Sequence, residues 1–183
     1  GSQPRSAVIT GLREDNETES VRTSRFLRFS EDEREEAFQN ISYQSTEGYT
    51  LGEQIGRGDK SMPKIGTHDV KEILTELKES SDTVFSDKMS RKDSQQTPHE
   101  VWRREGMSYF VNPLLENLYP DGDKPREVKP MYFDSELERK AAFLALQSST
   151  YYLFWMVYGN ERHLPWKLID GFPFPDVDML EEN

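Results

Sequence analysis

Histidines, serines and carboxylates are the side chains of this sequence that could carry catalysis or hold a metal ion. The three histidines, His68, His99 and His163, lie far apart and show no metal-ligand spacing, and cysteine is absent. Serine is abundant, but no Gly-x-Ser-x-Gly motif and no recognisable histidine partner accompanies it. The residues therefore predict neither a metal centre nor a nucleophilic active site.

The glycine-rich stretch from Gly52 to Ser61 invites comparison with a phosphate-binding loop. Such a loop needs glycine directly before its lysine, so that the backbone can wrap around the phosphate. Asp59 precedes Lys60 instead, and its carboxylate would repel a phosphate group. We expect no nucleotide site here.

The composition predicts a folded domain with long polar loops. The chain has 183 residues, of which 34% are hydrophobic, 31% charged and 11% aromatic, and a disordered chain would carry fewer aromatic residues. The apolar stretch at 141–158 is interrupted by Gln147–Thr150, whereas a membrane span needs ~20 nearly continuous apolar residues. Since no signal peptide is visible either, we expect a cytoplasmic protein that does not interact with membranes.

The net charge of −11 argues against simple nucleic-acid binding, which depends on neutralising phosphates. Basic residues nevertheless gather in three runs. If these runs converge in the fold, they could form a surface that faces DNA. The runs are Arg22, Arg25 and Arg28; Arg57, Lys60 and Lys64; and Arg162, His163 and Lys167.

The first half of the chain predicts two short helices. Residues 1–20 are polar and are expected to be a flexible lead-in, in which Gly1-Ser2 is typical of a cloning remnant, and a single domain is expected over 21–183. A capping box of Ser30 and Glu33 predicts a helix to about Ile41, with Ala37, Phe38 and Ile41 inward. Thr67 predicts the cap of a second helix, with an inward stripe of Val70, Ile73, Leu74 and Leu77.

The second half predicts two strands and one long helix. Residues 79–99 are polar and predict a mobile loop, and strand character follows at 100–111 and 128–133. Ser135 and Glu138 form a second capping box, which predicts a helix to about Tyr158 that stops at Gly159-Asn160. Together these elements predict an α+β fold: a small, mostly antiparallel sheet packed on one long C-terminal helix, with two shorter helices and long loops.

Nine short sequence blocks occur in a characteristic order along the chain. The blocks are Thr23–Phe26, Glu33-Arg34, Phe38–Ile41, Met62–Ile65, Trp102–Asn112, Leu144–Ser149, Phe154-Trp155, Gly159–Leu164 and Phe172–Pro175. Taken in this order, they resemble the C-terminal region of adenine-N6 DNA methyltransferases of type II (type IIG) restriction–modification systems, with a Taq-type target-recognition domain. The resemblance spans residues 21–176 and is most specific at its end, although Gln147 replaces the usual Asn and Ser108 the usual Arg.

The resemblance implies recognition of double-stranded DNA, which would lie in a cleft shared with the methyltransferase domain of the same chain while the target adenine is flipped out. The catalytic loop of that family is absent here, because Asn112-Pro113-Leu114-Leu115 lacks its second proline and its aromatic residue. The glycine-rich turn that binds the cofactor is absent too. We therefore expect no catalytic residue and no cofactor in this chain; S-adenosylmethionine would belong to the parent methyltransferase.

Six residues are the candidate DNA contacts: Arg25, Lys64, Arg103, Arg104, Arg162 and His163. Arginine suits phosphate or a guanine edge because it donates two parallel hydrogen bonds. Arg162 and His163 could equally be helix-exit residues that face solvent, and Trp102 could equally pack in the core. The rival hypothesis is an acidic protein-interaction module or a DNA mimic, for which the charge of −11 speaks.

Overall fold

The protein is described by a computed structural model that covers residues 21–25, 27, 29–52, 61–91, 98–106, 111–116, 127–160 and 162–177. The predicted α+β class is confirmed. The chain divides into two compact units, Gly1–Leu74 and Thr75–Asn183, where the sequence predicts a single domain. The elements in chain order are β1 (Arg22–Thr23), α1 (Arg34–Gln39), β2 (Gln44–Ser45), α2 (His68–Glu79), α3 (Phe85–Lys88), β3 (Glu100–Arg104), β4 (Val128–Tyr132), α4 (Glu136–Gln147), α5 (Ser149–Tyr158) and α6 (Trp166–Asp170).

The first unit contains a two-residue antiparallel pair, β1 with β2. The Thr23 hydroxyl donates to the carbonyl of Pro63 (2.6 Å) and accepts from the N–H of Ile65 (3.1 Å). This side chain therefore joins the end of β1 to the segment around residue 65. Gly66 lies so close to that strand end that an added Cβ would sit 2.5 Å from Cβ of Arg25, so only glycine fits there.

Helix α1 is shorter and more exposed than the sequence predicts. Ser30 donates from both its N–H and its hydroxyl to Glu33 Oε2, each at 2.9 Å, and these bonds lower the pKa of Glu33. The helix begins only at Arg34 and buries none of its residues, so the predicted inward face is wrong. Phe38 is 44% exposed and packs edge-on against Phe29, with 5.4 Å between the ring centroids.

Helix α2 follows the sequence prediction more closely. The hydroxyl of Thr67 accepts from the N–H of Val70 (3.4 Å), as expected of a residue that caps a helix. Leu74 is completely buried, whereas Ile73 is 37% exposed. The apolar stripe is therefore narrower than predicted.

The second unit is built on the antiparallel pair of β3 and β4, in which Trp102 lies opposite Pro130. The backbone N–H and C=O of Trp102 both bond to Leu114 at 2.8 Å, on the side away from β4. Proline lacks an N–H, and it is tolerated inside β4 because no ladder bond is required at this position. Ser90 covers the other edge of β4 through two backbone bonds of 2.9 Å to Tyr132.

The predicted long C-terminal helix is wrong, because the structure has two helices that meet at Ser148. The backbone of Ser148 is extended (ψ 153°), and its hydroxyl donates to the carbonyl of Ala145 (2.7 Å) and accepts from the N–H of Tyr151 (3.1 Å). One side chain thus ends α4 and caps α5. Serine is suited to this position because its hydroxyl can form hydrogen bonds with nearby backbone groups in place of the helical ones. None of the described helices has the length and apolar character needed to cross a membrane.

Aromatic packing forms the core of the second unit. The motif Phe172-Pro173-Phe174-Pro175 follows α6 and is not helical, because each proline disfavours helical backbone, and both phenylalanines are buried. Ring centroids within the group lie 4.7 to 6.5 Å apart, mostly in edge-to-face geometry. We call this group the aromatic cluster; its members are Phe85, Phe133, Tyr151, Phe154, Phe172 and Phe174.

The segment predicted as a mobile loop at 79–99 contains helix α3, which contributes to this core. Phe85 is fully buried, and its N–H bonds to the carbonyl of Phe172 at 3.0 Å. Val84 forms a backbone bridge with Pro173. A lone phenylalanine among Ser, Asp and Lys residues shows no helical periodicity, so the sequence does not reveal its partners across the fold. Residues 92–97 lie outside the described part of the chain.

We expect Ser148→Ala to destabilise the protein by about 1 kcal/mol, because both the cap of α5 and the bond to Ala145 are lost. Ser149→Ala is the matched control, since Ser149 is exposed and is the first residue of α5. Urea denaturation measures both changes. Equal midpoints for the two variants would show that residue 148 does not cap a helix.

We expect Phe85→Ala to cost about 3–5 kcal/mol, because it removes a fully buried ring from the aromatic cluster. Leu144→Ala is the control; Leu144 is 65% exposed, and its truncation should stay within about 0.5 kcal/mol of the parent protein. Thermal unfolding compares the two. A small effect of Phe85→Ala would show that Phe85 is not packed in the core, as the loop predicted for this segment would require.

Candidate nucleic-acid interface

Two of the six candidate contacts, Arg25 and Lys64, belong to the first unit. Thr23 joins their two segments through its bonds to Pro63 and Ile65. Arg25 is exposed and Lys64 is half-buried. Other members of the basic runs, Arg28, Arg57 and Lys60, lie outside the described residues, and the convergence of the three runs in one groove stays a prediction.

The other four candidates belong to the second unit, where strand alternation separates Arg103 from Arg104. Successive side chains of a strand point to opposite faces. Arg103 therefore shares one face with Val101 and is 1% exposed. Arg104 shares the other face with Trp102, which is also buried, but Arg104 is the last residue of β3 and 63% of its side chain is exposed. Neighbouring arginines thus have different environments.

The loop that follows α5 brings Arg162 and His163 to the end of β3. We call residues 159–164 the exit loop; all of them except 161 are described. His163 forms a backbone bridge with Gly106, and the N–H of Leu164 donates to the carbonyl of Glu105 (2.9 Å). Arg162 and His163 remain exposed, at the same end of β3 as Arg104.

The side chains of Asn160 and Trp155 form hydrogen bonds with the backbone of the exit loop. Asn160 Oδ1 accepts from the N–H groups of Arg162 (3.1 Å) and His163 (2.9 Å), and the indole N–H of Trp155 donates to the carbonyl of His163 (2.9 Å). At Gly159 an added Cβ would lie 2.4 Å from the carbonyl oxygen of Trp155. The predicted helix stop at Gly159-Asn160 is confirmed, and glycine is required there by close backbone approach.

Carboxylates accompany the cations of this surface. Arg104 Nε lies 3.7 Å from Glu127, and Lys129 Nζ lies 3.5 Å from Glu105. All four side chains are between 41% and 63% exposed. Exposed pairs of this kind contribute only about 0–1 kcal/mol each, because water screens them. The surface is therefore mixed in charge.

Arg103, which the sequence predicts as a DNA contact, has a buried guanidinium in this structure. Arg103 Nη1 donates a short hydrogen bond to the carbonyl of Leu164, and the guanidinium carbon lies 3.9 Å from the ring centre of Trp166. Nη2 lies 3.7 Å from a carboxylate oxygen of Glu105. Burial lowers the pKa of Arg103 while Glu105 opposes that shift, and arginine keeps its charge in either case.

Sequence reasoning missed a second arginine contact, in which the half-exposed Arg91 reaches the buried Asp170. Arg91 forms a short ion pair with Asp170 and lies 4.5 Å above the ring of Trp166. Nearby, burial raises the pKa of Tyr151, whose hydroxyl makes no hydrogen bond within the described part of the chain. The spacing of Trp166 and Asp170, four residues apart on α6, was the available signal, but Arg91 is distant in sequence.

Two further sequence hypotheses concern the aromatic residues near Arg103 and the segment 112–115. Trp102 is 6% exposed, which confirms core packing for that residue, and Phe110 lies outside the described residues. In the segment 112–115, Pro113 is buried and the backbone of Leu114 is bonded to that of Trp102, so the segment packs against β3.

An open cleft of about 380 Å³ lies elsewhere in the second unit, and Glu79, Asp82, Lys88 and Asp176 are among its lining residues. None of the six candidate contacts lines it. Within the described ranges, no group of three or more His, Asp or Glu side chains could hold a metal ion. The cleft is therefore separate from the six candidate contacts.

Comparison of the chain with models of protein families, with curated proteins and with solved structures finds no match. The resemblance to target-recognition domains consequently rests on the sequence blocks alone.

Among the described carboxylates, the pKa of Glu136 on α4 shows the largest shift, because two hydrogen bonds from Arg139 (2.7 and 2.9 Å) lower it to about 2. Desolvation opposes this shift, while the charge of Arg139, a hydrogen bond from His99 and the charge of Lys140 add to it. Shifted groups are often functional. Glu136, however, is half-exposed and paired within its own helix, as structural ion pairs are.

We expect the Glu136 carboxyl to titrate near pH 2 by NMR, and Arg139→Gln to return it toward the ordinary glutamate value of about 4.3. The depressed pKa stabilises the fold above about pH 4.3, and this contribution is lost as pH falls towards about 2. Lys140→Gln is the control and should change the midpoint less, because the Lys140 charge is the smallest cause of the shift. An ordinary midpoint in the parent protein would contradict the ion pair.

Proposed function

We propose that this chain is the DNA-recognition part of a restriction–modification adenine-N6 DNA methyltransferase, with a cytoplasmic location. It would position double-stranded DNA for a methyltransferase domain of the same parent protein, which would also bind S-adenosylmethionine. The observation that carries the proposal is the exit loop, whose backbone bridge between Gly106 and His163 gathers exposed donors around the end of β3. The donors on this surface are Arg104, Arg162 and His163.

Placement on a scaffold supports this role for the exit loop. Binding residues are often carried by loops that a rigid framework positions. Two backbone contacts to the end of β3 and a hydrogen bond from the buried Trp155 restrain Arg162 and His163. Restrained donors lose less conformational entropy when they bind a phosphate or a base edge.

The neighbouring carboxylates are compatible with this proposal on energetic grounds. Glu127 and Glu105 would have to release Arg104 and Lys129 to phosphates. Since each exposed pair contributes at most about 1 kcal/mol, a phosphate that accepts two hydrogen bonds from arginine can replace it. The overall charge of −11 predicts weak binding at high salt.

Binding of the 183-residue chain to a labelled pool of random-sequence DNA duplexes tests the proposal. If three phosphates are neutralised, the affinity should fall roughly 40-fold between about 50 and about 200 mM salt. Arg162→Ala should lower the slope of log affinity against log salt by about 1. Selection from the pool should enrich one sequence, because the proposed role is sequence recognition.

Lys140→Ala is the matched control, since it removes one exposed positive charge from α4, outside the exit loop. It should leave the salt slope nearly unchanged. A folded chain that does not bind duplexes at low salt contradicts the proposal, and an unchanged slope in Arg162→Ala removes that residue from the interface.

A second candidate function is an acidic protein-interaction module or a DNA mimic. Its supporting observation is that Arg104 and Lys129 are already paired with carboxylates, on a chain of net charge −11. Such a module would bind a basic protein surface and would ignore duplex DNA. The same duplex-binding measurement therefore separates the two candidates.

A further inference from the structure

Arg103 is a charged side chain in a place where charge is costly. Its side chain is 1% exposed, and its Nε and Nη2 atoms make no hydrogen bond to any of the described residues. Burying a guanidinium is unfavourable unless specific contacts compensate for lost hydration. The contacts that compensate for this cost show which part of the fold Arg103 stabilises.

Two of these contacts converge on one end of the exit loop. Nη1 donates to the carbonyl of Leu164, the last residue of that loop. The guanidinium also lies against the ring of Trp166, which begins α6. The third contact is the ion pair with Glu105 at 3.7 Å, and the carbonyl of Glu105 accepts from the N–H of Leu164. Both backbone groups of Leu164 are therefore bonded to residues 103–105.

We propose that Arg103 is a positioning residue that fixes the exit loop, so that Arg162 and His163 are held ready to bind from solution. This inference rests on the proposed function for its consequence in DNA binding, but not for its structural part. Arg103 would not touch DNA itself. Its neighbour Arg104, which is exposed, would make the contact.

Geometry separates this role from that of an ordinary core residue. An apolar side chain could fill the same volume, but it could not donate a hydrogen bond to the carbonyl of Leu164. Leu164 is itself buried. Lysine would keep the charge without the planar fork that reaches a carbonyl while lying flat on an indole ring. The position therefore favours arginine for its shape as well as its charge.

The first experiment measures amide hydrogen exchange in the free 183-residue chain, comparing Arg103→Met with Arg104→Met. We expect the amides of Leu164 and His163 to exchange roughly 10- to 100-fold faster in Arg103→Met, the factor that one hydrogen bond from a charged donor implies. The indole N–H resonance of Trp155, which bonds to His163, should shift as well. Arg104→Met should change neither.

Unchanged protection of Leu164 in Arg103→Met would overturn the proposal. If Arg103→Met does not fold, Arg103→Lys takes its place and should show faster exchange at the same amides, to a smaller extent. Exchange in Arg103→Lys as slow as in the parent protein would overturn the proposal as well.

The second experiment measures the salt dependence of binding to the duplex pool. Arg103→Met should weaken binding by roughly 3- to 10-fold for each side chain that loses its restraint, with an unchanged salt slope. Arg104→Met should lower the slope by about 1. A slope that falls in Arg103→Met as it does in Arg104→Met would mean that Arg103 reaches a phosphate, which overturns the positioning role.

Failure of the proposed function remains distinguishable from failure of this inference. A parent protein that binds no duplex contradicts DNA recognition, while the exchange experiment still decides whether Arg103 holds the exit loop. Conversely, parent binding with unaltered exchange in Arg103→Met supports DNA recognition and rejects the positioning role.

Discussion

Edge-to-face packing of aromatic rings is the interaction on which the second unit depends. The aromatic cluster joins α3, the end of β4, α5 and the segment Phe172–Pro175, which are far apart in sequence. Only 34% of the residues are hydrophobic, and other large side chains, among them Met131, Trp155 and Leu168, are also buried in this unit. Each aromatic ring buries a large area, and a small number of rings can therefore build a core that a polar sequence could not otherwise form.

Charged side chains contribute to the packing around Trp166 in the second unit. Arg103 and Arg91 both lie against the ring of Trp166, and Arg91 is paired with Asp170. Arg103 and Asp170 are buried, whereas Arg91 is half-exposed. Buried charges contribute little net stability compared with apolar packing, but they restrict geometry, since moving one partner leaves the other unpaired. The exit loop is attached at this point. Its conformation is thus linked to the interior and not only to its own sequence.

Helix caps were predictable from sequence because they are local. Thr67 and Ser135 cap helices through bonds to backbone groups three residues away, and the stop at Gly159 reflects close approach to the preceding turn. The strand pair was also predictable, from β-rich runs on either side of a turn-rich segment. The same local patterns predict too long a last helix, because they do not show that Ser148 ends one helix and caps the next.

The sequence by itself determined the α+β class, the positions of most elements and the group of cations from which a DNA surface could be built. Only the tertiary structure decided which cations are exposed. Arg103 and Arg104 are equivalent by composition and adjacent in sequence, but strand alternation turns one toward Trp166 and the other toward solvent. The partners that bury Arg103 lie more than sixty residues away in sequence, at Leu164 and Trp166. Their approach depends on packing of the whole unit, which no local pattern encodes.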